Sequence, residues 1–311
     1  MRLYRYRHDG TARLAAQDGA HPVDLARAWR VFGEKEEEVP GVSSGDTGAL
    51  IGAGRRWWSA TAAVVRQARD AGVPRVDLDD RVMAPILPAS LRDFLAFEDH
   101  VARGAARRRS PVPEYWYEAP VYYKGNHRAI IGPGTECPWP SYTRHLDFEL
   151  ELALIVGRPG RNVSRRDAPD HVFGFTILND FSARDVQAKE MSAWLGPAKG
   201  KDFANALGPC IVTADEVGAE PDLEMVCRVN GEDWGRARSS DMHWKWSDII
   251  AHVSASEDIV PGDVYGSGTP GGCCGLDLGR SLEPGDVVEL DVEHIGVLRN
   301  TIGGPPGATG L

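Results

Sequence analysis

Cysteine is scarce and poorly spaced for a structural role: the 311 residues hold five, with Cys273 and Cys274 adjacent and no Cys-x-x-Cys pair. That pattern excludes a disulfide framework and argues against zinc or thioredoxin-like chemistry. Long apolar runs are missing too, so nothing is long enough to span a bilayer. The opening Met-Arg-Leu-Tyr-Arg-Tyr-Arg lacks the apolar centre of a signal peptide. Positive charge is outnumbered, with 35 Lys and Arg against 45 Asp and Glu, a net −10. General nucleic-acid binding needs a basic surface and is therefore not expected. The glycine-rich segment 266–272 lacks the Gly-Lys-Ser/Thr ending of a phosphate-binding loop. No internal repeat or low-complexity tract occurs. What remains, with 42% apolar residues, is expected to be a soluble, cytoplasmic globular protein with a large domain and a smaller one.

The chain begins as a β unit. Leu3 to Arg7, the turn Asp9-Gly10 and Ala12 to Ala16 predict a hairpin. A short helix is expected from Val23 to Val31, a loop over 34–45, and a helix from Arg55 to Ala71, where Trp58, Ala62, Val65 and Ala68 recur at helical spacing. Ala84-Pro85-Ile86-Leu87-Pro88 avoids the helical region before each proline and marks a boundary between a domain at 1–84 and one at 85–311. The second part reads as strands between turns. Pro261-Gly262 and Pro284-Gly285 each occupy the centre of a type II turn. Helices are expected near Ser164–Asp167 as an N-cap, from Ser182 to Met191, and from Trp246 to Ala255.

Within 147–157, Glu149 and Glu151 stand one residue apart in a run that otherwise reads as a strand buried on both faces. Alternation puts both carboxylates on one face and Phe148, Leu150 and Leu152 on the other. Paired carboxylates repel and are costly to bury, and a hard divalent cation with oxygen ligands relieves both problems. The competing reading is a half-exposed strand with a solvated acidic face. Asp180 follows an apolar run, at a point where an ordinary Asn-Asp turn is the alternative. Arg184 and Gln187 would share a helix face beside it. Asp93 with His100, the glycine-flanked Lys201, and the basic run Arg107-Arg108-Arg109 are further candidates, each with a plain surface or structural alternative.

Taken in order, these segments resemble the fumarylacetoacetate hydrolase (FAH) family. The resemblance rests on Asp93 seven residues before His100, on Asp147-Phe148-Glu149-Leu150-Glu151, and on Asn179-Asp180-Phe181-Ser182-Ala183-Arg184-Asp185-Val186-Gln187. It continues through Gly200-Lys201-Asp202-Phe203 and Gly268-Thr269, and spans roughly residues 85–302. It implies an α+β, predominantly β fold, with a mixed β-sandwich roll as the larger domain and homodimers as the usual assembly. It implies that Asp93, Glu149, Glu151 and Asp180 hold Mg²⁺, or alternatively Ca²⁺ or Mn²⁺. By the same resemblance His100 matches the general base and Asp277 the carboxylate that orients it. Arg184, Gln187 and Lys201 match oxyanion-stabilising groups, and Arg109, Tyr123 and Thr269 match substrate-holding positions. The sequence also departs from the pattern. Leu95 stands where the fumarylacetoacetate enzymes have tyrosine, Met191 and Ser192 where a second tyrosine is expected, and Arg103 where acylpyruvate-cleaving relatives carry glutamate. These departures count against fumarylacetoacetate itself as substrate.

The implied activity is metal-dependent hydrolysis of a C–C bond in a small diketo acid or acylpyruvate-like molecule. His100 would activate water and the enolate left by cleavage would sit on the metal. The alternatives on the same fold are 2-keto acid decarboxylation and isomerisation of unsaturated hydroxy-dioates. A non-catalytic binding member would be expected to have lost ligands or base, and none is replaced.

Overall fold

The structure, a computed structural model, describes residues 1–19, 21–33 and 38–305; residues 34–37 of the expected loop and 306–311 of the expected second domain lie outside them. Strands dominate. The main sheet has eleven, running Val23–Asp24, Thr11–Gln17, Arg2–His8, Asn205–Thr213, Val172–Asn179, Leu150–Val156, Val264–Gly266, Leu91–Phe94 and Tyr122–Gly125, with Val82–Met83 and Ile130–Ile131 paired alongside. A second, antiparallel sheet of four runs Glu232–Arg238, Glu224–Val229, Val287–Val292 and Gly296–Thr301. The α+β class expected from the sequence is the one observed.

Two apolar layers explain the stacking. Between the sheets lie Phe148, Leu150, Leu152 and Leu154 with Met225, Cys227 and Leu290. On the other face of the main sheet, Ala153 and Ile155 pack in a second core with Ala28, Val64, Val65 and Ala68 from the helices Leu25–Phe32 and Arg55–Asp70. A strand between two apolar layers must be apolar on both faces, which is why Leu150–Val156 is buried throughout. The first 84 residues join the same architecture. The hairpin Arg2–His8/Thr11–Gln17 turns at Asp9-Gly10, both with positive φ, and enters the main sheet through the pairs Arg2–Val212 and Leu3–Ile211.

Both Pro-Gly turns form. Gly262 and Gly285 have φ of +89° and +90°, and Asp263 and Asp286 donate back to the carbonyls of Val260 and Glu283. Two expected helix starts need correction. Ser164 and Asp167 close a hydrogen-bonded turn that leads into a short 3-10 helix, Ala168–His171, instead of capping an α-helix. Ser182–Ala183 is drawn into a two-stranded pair with Leu146–Asp147, so the helix begins only at Arg184 and ends at Ser192. The backbone pairing there overrides a local preference for helix. The five cysteines are free, buried thiols.

Candidate metal centre and active site

Strand parity assembles the acids. Glu149 and Glu151 alternate with Leu150 and Leu152 and so share a face with Ala153 and Ile155. Asp93 follows Leu91 by two residues, and Asp180 follows Leu178 by two, so both extend that same face. The four carboxylates lie in or beside three strands: Val172–Asn179 and Leu150–Val156 are direct neighbours, and Val264–Gly266 runs between Leu150–Val156 and Leu91–Phe94. On that intervening strand Gly266 lies beneath them. A Cβ there would meet Glu151 Oε2 at 2.5 Å, Leu178 Cδ2 at 2.7 Å and Asp93 Oδ1 at 2.9 Å. Glycine therefore makes the cradle into which the carboxylates turn. One ligand atom from each of the four acids lies within 4.8 Å of the others, and all four residues are buried.

Two cations share part of this charge. Lys201, whose side chain is 3% exposed, bonds Glu149 Oε2 at 2.6 Å and also bonds Asp180 Oδ2. Arg184 reaches Glu149 Oε1 at 2.8 Å and Asp147 Oδ2 at 2.7 Å, and its Nη1 donates to Gln187 Oε1. Burial opposes ionisation of Glu149, but Arg184 and Lys201 outweigh it and hold that carboxyl well below the usual range. Burial likewise works against a charged Lys201, yet Asp180 and Glu149 push its pKa upward. Among the described residues, neither Asp93 nor Glu151 has an ion-pair partner. Burial, then the charge of Asp180, raises Asp93 well above its ordinary value, and burial with Asp93 and Asp180 does the same to Glu151. Asp180 is raised as well, chiefly by burial.

Three carboxylate oxygens in this cluster, Asp93 Oδ1, Glu151 Oε1 and Asp180 Oδ1, are buried with no hydrogen-bond partner. Orphaned buried acceptors are rare and costly. An all-oxygen donor set, unpaired negative charge and a glycine-lined cradle fit a hard divalent cation such as Mg²⁺, Ca²⁺ or Mn²⁺. The rest of the first layer is well fixed. Glu151 Oε2 accepts from Gly268 N–H at 3.0 Å, and Tyr123, opposite Asp93 in the sheet, donates its hydroxyl to Asp180 Oδ2 at 2.9 Å.

A second group adjoins the acids through the backbone bridge between Glu149 and Cys274. His100, in the first turn of the helix Glu98–Arg107, places Nδ1 2.9 Å from Asp277 Oδ2. Asp277 sits in the short helix Gly275–Leu278. An ionised carboxylate only accepts, so in the neutral imidazole this contact puts the proton on Nδ1 and leaves Nε2 as the acceptor. Burial opposes the Asp277 charge, but His100, Gly272 N–H and Arg107 hold its pKa down at about 2.

The structure thus brings together Asp93, Glu149, Glu151, Asp180, Lys201, Arg184, Gln187 and Tyr123, and sets His100 and Asp277 beside them. Thr269 is buried and donates its hydroxyl to the carbonyl of Cys273 at 3.1 Å. Arg109 is not brought in. It lies exposed and left-handed, with φ +52°, just past the helix end, and the arginine that reaches the site is Arg107. Two contributors escaped the sequence reading. Asp147 fastens Arg184 and accepts from Gly275 and Leu276 N–H. Gly266 had no signal beyond its place in a glycine-rich run; Asp147 lay inside the quoted acidic motif and had a signal.

Comparison with known proteins points to one family. Residues 90–303 match the model of the fumarylacetoacetate (FAA) hydrolase C-terminal family. A human mitochondrial oxaloacetate tautomerase is 34% identical over 239 residues, which cover 70% of this chain and 72% of the relative. A 2,4-didehydro-3-deoxy-L-rhamnonate hydrolase from Sphingomonas sp. (strain SKA58) is 30% identical over 280 residues, covering 87% and 94%. Among solved structures, a fumarylacetoacetate hydrolase from psychrophilic Exiguobacterium antarcticum superimposes with a TM-score of 0.76 at 27% identity, covering 97% of this chain and 99% of that one.

Proposed function

The chain belongs to the fumarylacetoacetate hydrolase family, and from that premise we propose that it is a divalent-cation-dependent hydrolase of a C–C bond in a 2,4-diketo acid or acylpyruvate-like substrate. The observation that carries the reading is the His100–Asp277 dyad next to a four-carboxylate cluster with three orphaned oxygens. Asp93, Glu149, Glu151 and Asp180 would hold the cation, which when bound supplies Lewis acidity and a template for the adjacent oxygens of a 2-oxo acid.

The protein's own groups then do the proton work. His100 Nε2 takes a proton from water, and Asp277 steadies the resulting imidazolium through Nδ1–H. The hydroxide oxygen bonds to the distal carbonyl carbon. Lys201 spends two of its three N–H groups on Glu149 and Asp180, which leaves one for the developing oxyanion. Arg184 occupies Gln187 Oε1, and the Gln187 NH₂ would serve as a further donor. The bond between the attacked carbon and its methylene neighbour breaks. The electron pair stays on the 2-oxo acid fragment, and that carbon recovers the proton from His100. The products are a carboxylic acid and a 2-oxo acid, and the assembly proposed for this chemistry is a homodimer.

A second reading has its own support. The 34% identity to an oxaloacetate tautomerase favours keto–enol isomerisation, in which the same dyad shuttles a proton between carbon and oxygen without adding water. A panel of acylpyruvates, diketo acids and oxaloacetate, assayed with Mg²⁺ and with chelator, separates the two. Two acids released per turnover support hydrolysis. Isomer interconversion without release supports tautomerisation, and carbon dioxide release would replace both with decarboxylation.

A further inference from the structure

The helix Glu98–Arg107 delivers two side chains to one carboxylate. His100 and Arg107 are seven residues apart, about two turns, and stand on the same helix face. Both reach Asp277, but at different oxygens. Oδ2 faces His100 Nδ1 at 2.9 Å and accepts from Gly272 N–H at 3.0 Å, while Oδ1 accepts from Arg107 Nη1 at 2.6 Å. The Asp277 side chain is fully buried and Arg107 is 36% exposed. Nothing in the base-and-oxyanion chemistry above uses this arginine.

We propose that Arg107 is a positioning residue for proton transfer: it keeps the Asp277 carboxylate ionised and turned so that His100 stays in its Nδ1–H form with Nε2 ready to accept a proton. The inference rests on His100 and Asp277 acting as proposed above. Its logic is one of donors and acceptors. Imidazole and a peptide N–H are the other partners of this buried carboxylate, and neither is a permanent cation. A buried carboxylate without a cation tends to take up a proton. As a carboxylic acid, Asp277 could donate to Nδ1; the imidazole proton would then move to Nε2, and the base would be lost. Arg107 is a permanent cation whose planar fork fixes the carboxylate's orientation as well as its charge. Because the carboxylate is shared between two cations once His100 is protonated, the imidazolium is also held less tightly. It therefore returns its proton to carbon more readily.

The test compares Arg107→Ala, Arg107→Lys, His100→Ala and Arg103→Ala in the full chain with Mg²⁺, on whichever substrate the panel identifies. Arg107→Ala should lower kcat about 10- to 100-fold, the usual range for an outer-layer partner, with KM and the Mg²⁺ dissociation constant unchanged. Added guanidinium chloride at non-denaturing concentration should restore part of kcat. Arg107→Lys keeps the charge without the fork and should fall between wild type and alanine, and it carries the test if the alanine variant is unstable. Arg103→Ala, which removes a neighbouring pair with Asp99, should leave kcat as it is. Wild-type kcat in Arg107→Ala beside a dead His100→Ala would overturn the inference, as would a loss confined to KM that guanidinium does not repair. A fully active His100→Ala would instead overturn the functional reading beneath it.

Discussion

Gly266→Ala tests the metal centre without replacing a single proposed ligand. The added methyl would lie 2.5 Å from Glu151 Oε2, 2.7 Å from Leu178 Cδ2 and 2.9 Å from Asp93 Oδ1. All three are ends of flexible side chains, so the protein can fold by moving them, and the backbone at this position needs no positive φ. Overpacking of this kind costs about 1–3 kcal/mol. In the metal-free protein the carboxylates need not converge on an ion, so most of the cost falls on the loaded state, where they must. At about 1.4 kcal/mol per tenfold, cation affinity should fall about 5- to 150-fold. Calorimetric titration with Mg²⁺, or Mn²⁺ followed by paramagnetic resonance, reads this directly, with a thermal melt in EDTA as the control for folding. An alanine variant that melts like wild type and binds the cation equally well would refute the placement of the ion on this face.

Other expectations follow from the same geometry. Lys201→Met strips a buried ammonium from Glu149 and Asp180 and should cost about 3–5 kcal/mol in urea unfolding, the range for breaking a buried pair from one side; a loss under about 1 kcal/mol would mean that the pair is not formed in solution. Acidity separates two effects around the ordinary carboxylate range near pH 4. Glu149 and Asp277 are depressed in the folded state, so their stabilisation is lost as pH falls below that range. Asp93 and Glu151 are raised, so in EDTA they cost stability as pH rises above it. Melting temperature against pH should therefore decline from weakly acid to neutral pH in EDTA, with saturating Mg²⁺ removing the decline; identical curves in both buffers would contradict this. Glu190 gathers the N–H groups of Ala198, Lys199 and Gly200 just before Lys201. Glu190→Gln should cost about 1–3 kcal/mol and speed proteolytic cutting within 193–199, whereas unchanged cutting would show that this carboxylate does not hold the segment.

How far the sequence reached depends on the kind of signal. Glu149 and Glu151 were legible because strand parity is a local property, and the neighbours Phe148, Leu150 and Leu152 fix which face is which. Asp93 and Asp180 were legible only through motif order, since their convergence depends on the pairing of Leu91–Phe94 with Val264–Gly266 across the sheet. Gly266 was not legible, because a glycine that makes room for side chains from two neighbouring strands looks like any turn glycine until those strands are paired. Ser182 misled as a helix start since its hydrogen bonds go to a distant partner, the strand at Asp147. Of the three consecutive arginines, motif order pointed to Arg109 as a substrate-holding residue, whereas the contact of Arg107 with Asp277 follows from helix phase: Arg107 falls two turns after His100 and Arg109 lies beyond the helix end. The joining of the first 84 residues to the main sheet likewise had no local signature, being a long-range pairing of Arg2 and Leu3 with Val212 and Ile211.

The central claim is that this site adds water across a carbon–carbon bond. Turnover of an acylpyruvate in ¹⁸O-labelled water, with Mg²⁺ and followed by mass spectrometry, measures it most directly. The account predicts that the released non-keto acid carries oxygen from the solvent, one acid forming per pyruvate, and that both vanish in EDTA and in His100→Ala. Substrate recovered as its enol or keto isomer, with no labelled acid released, would contradict it.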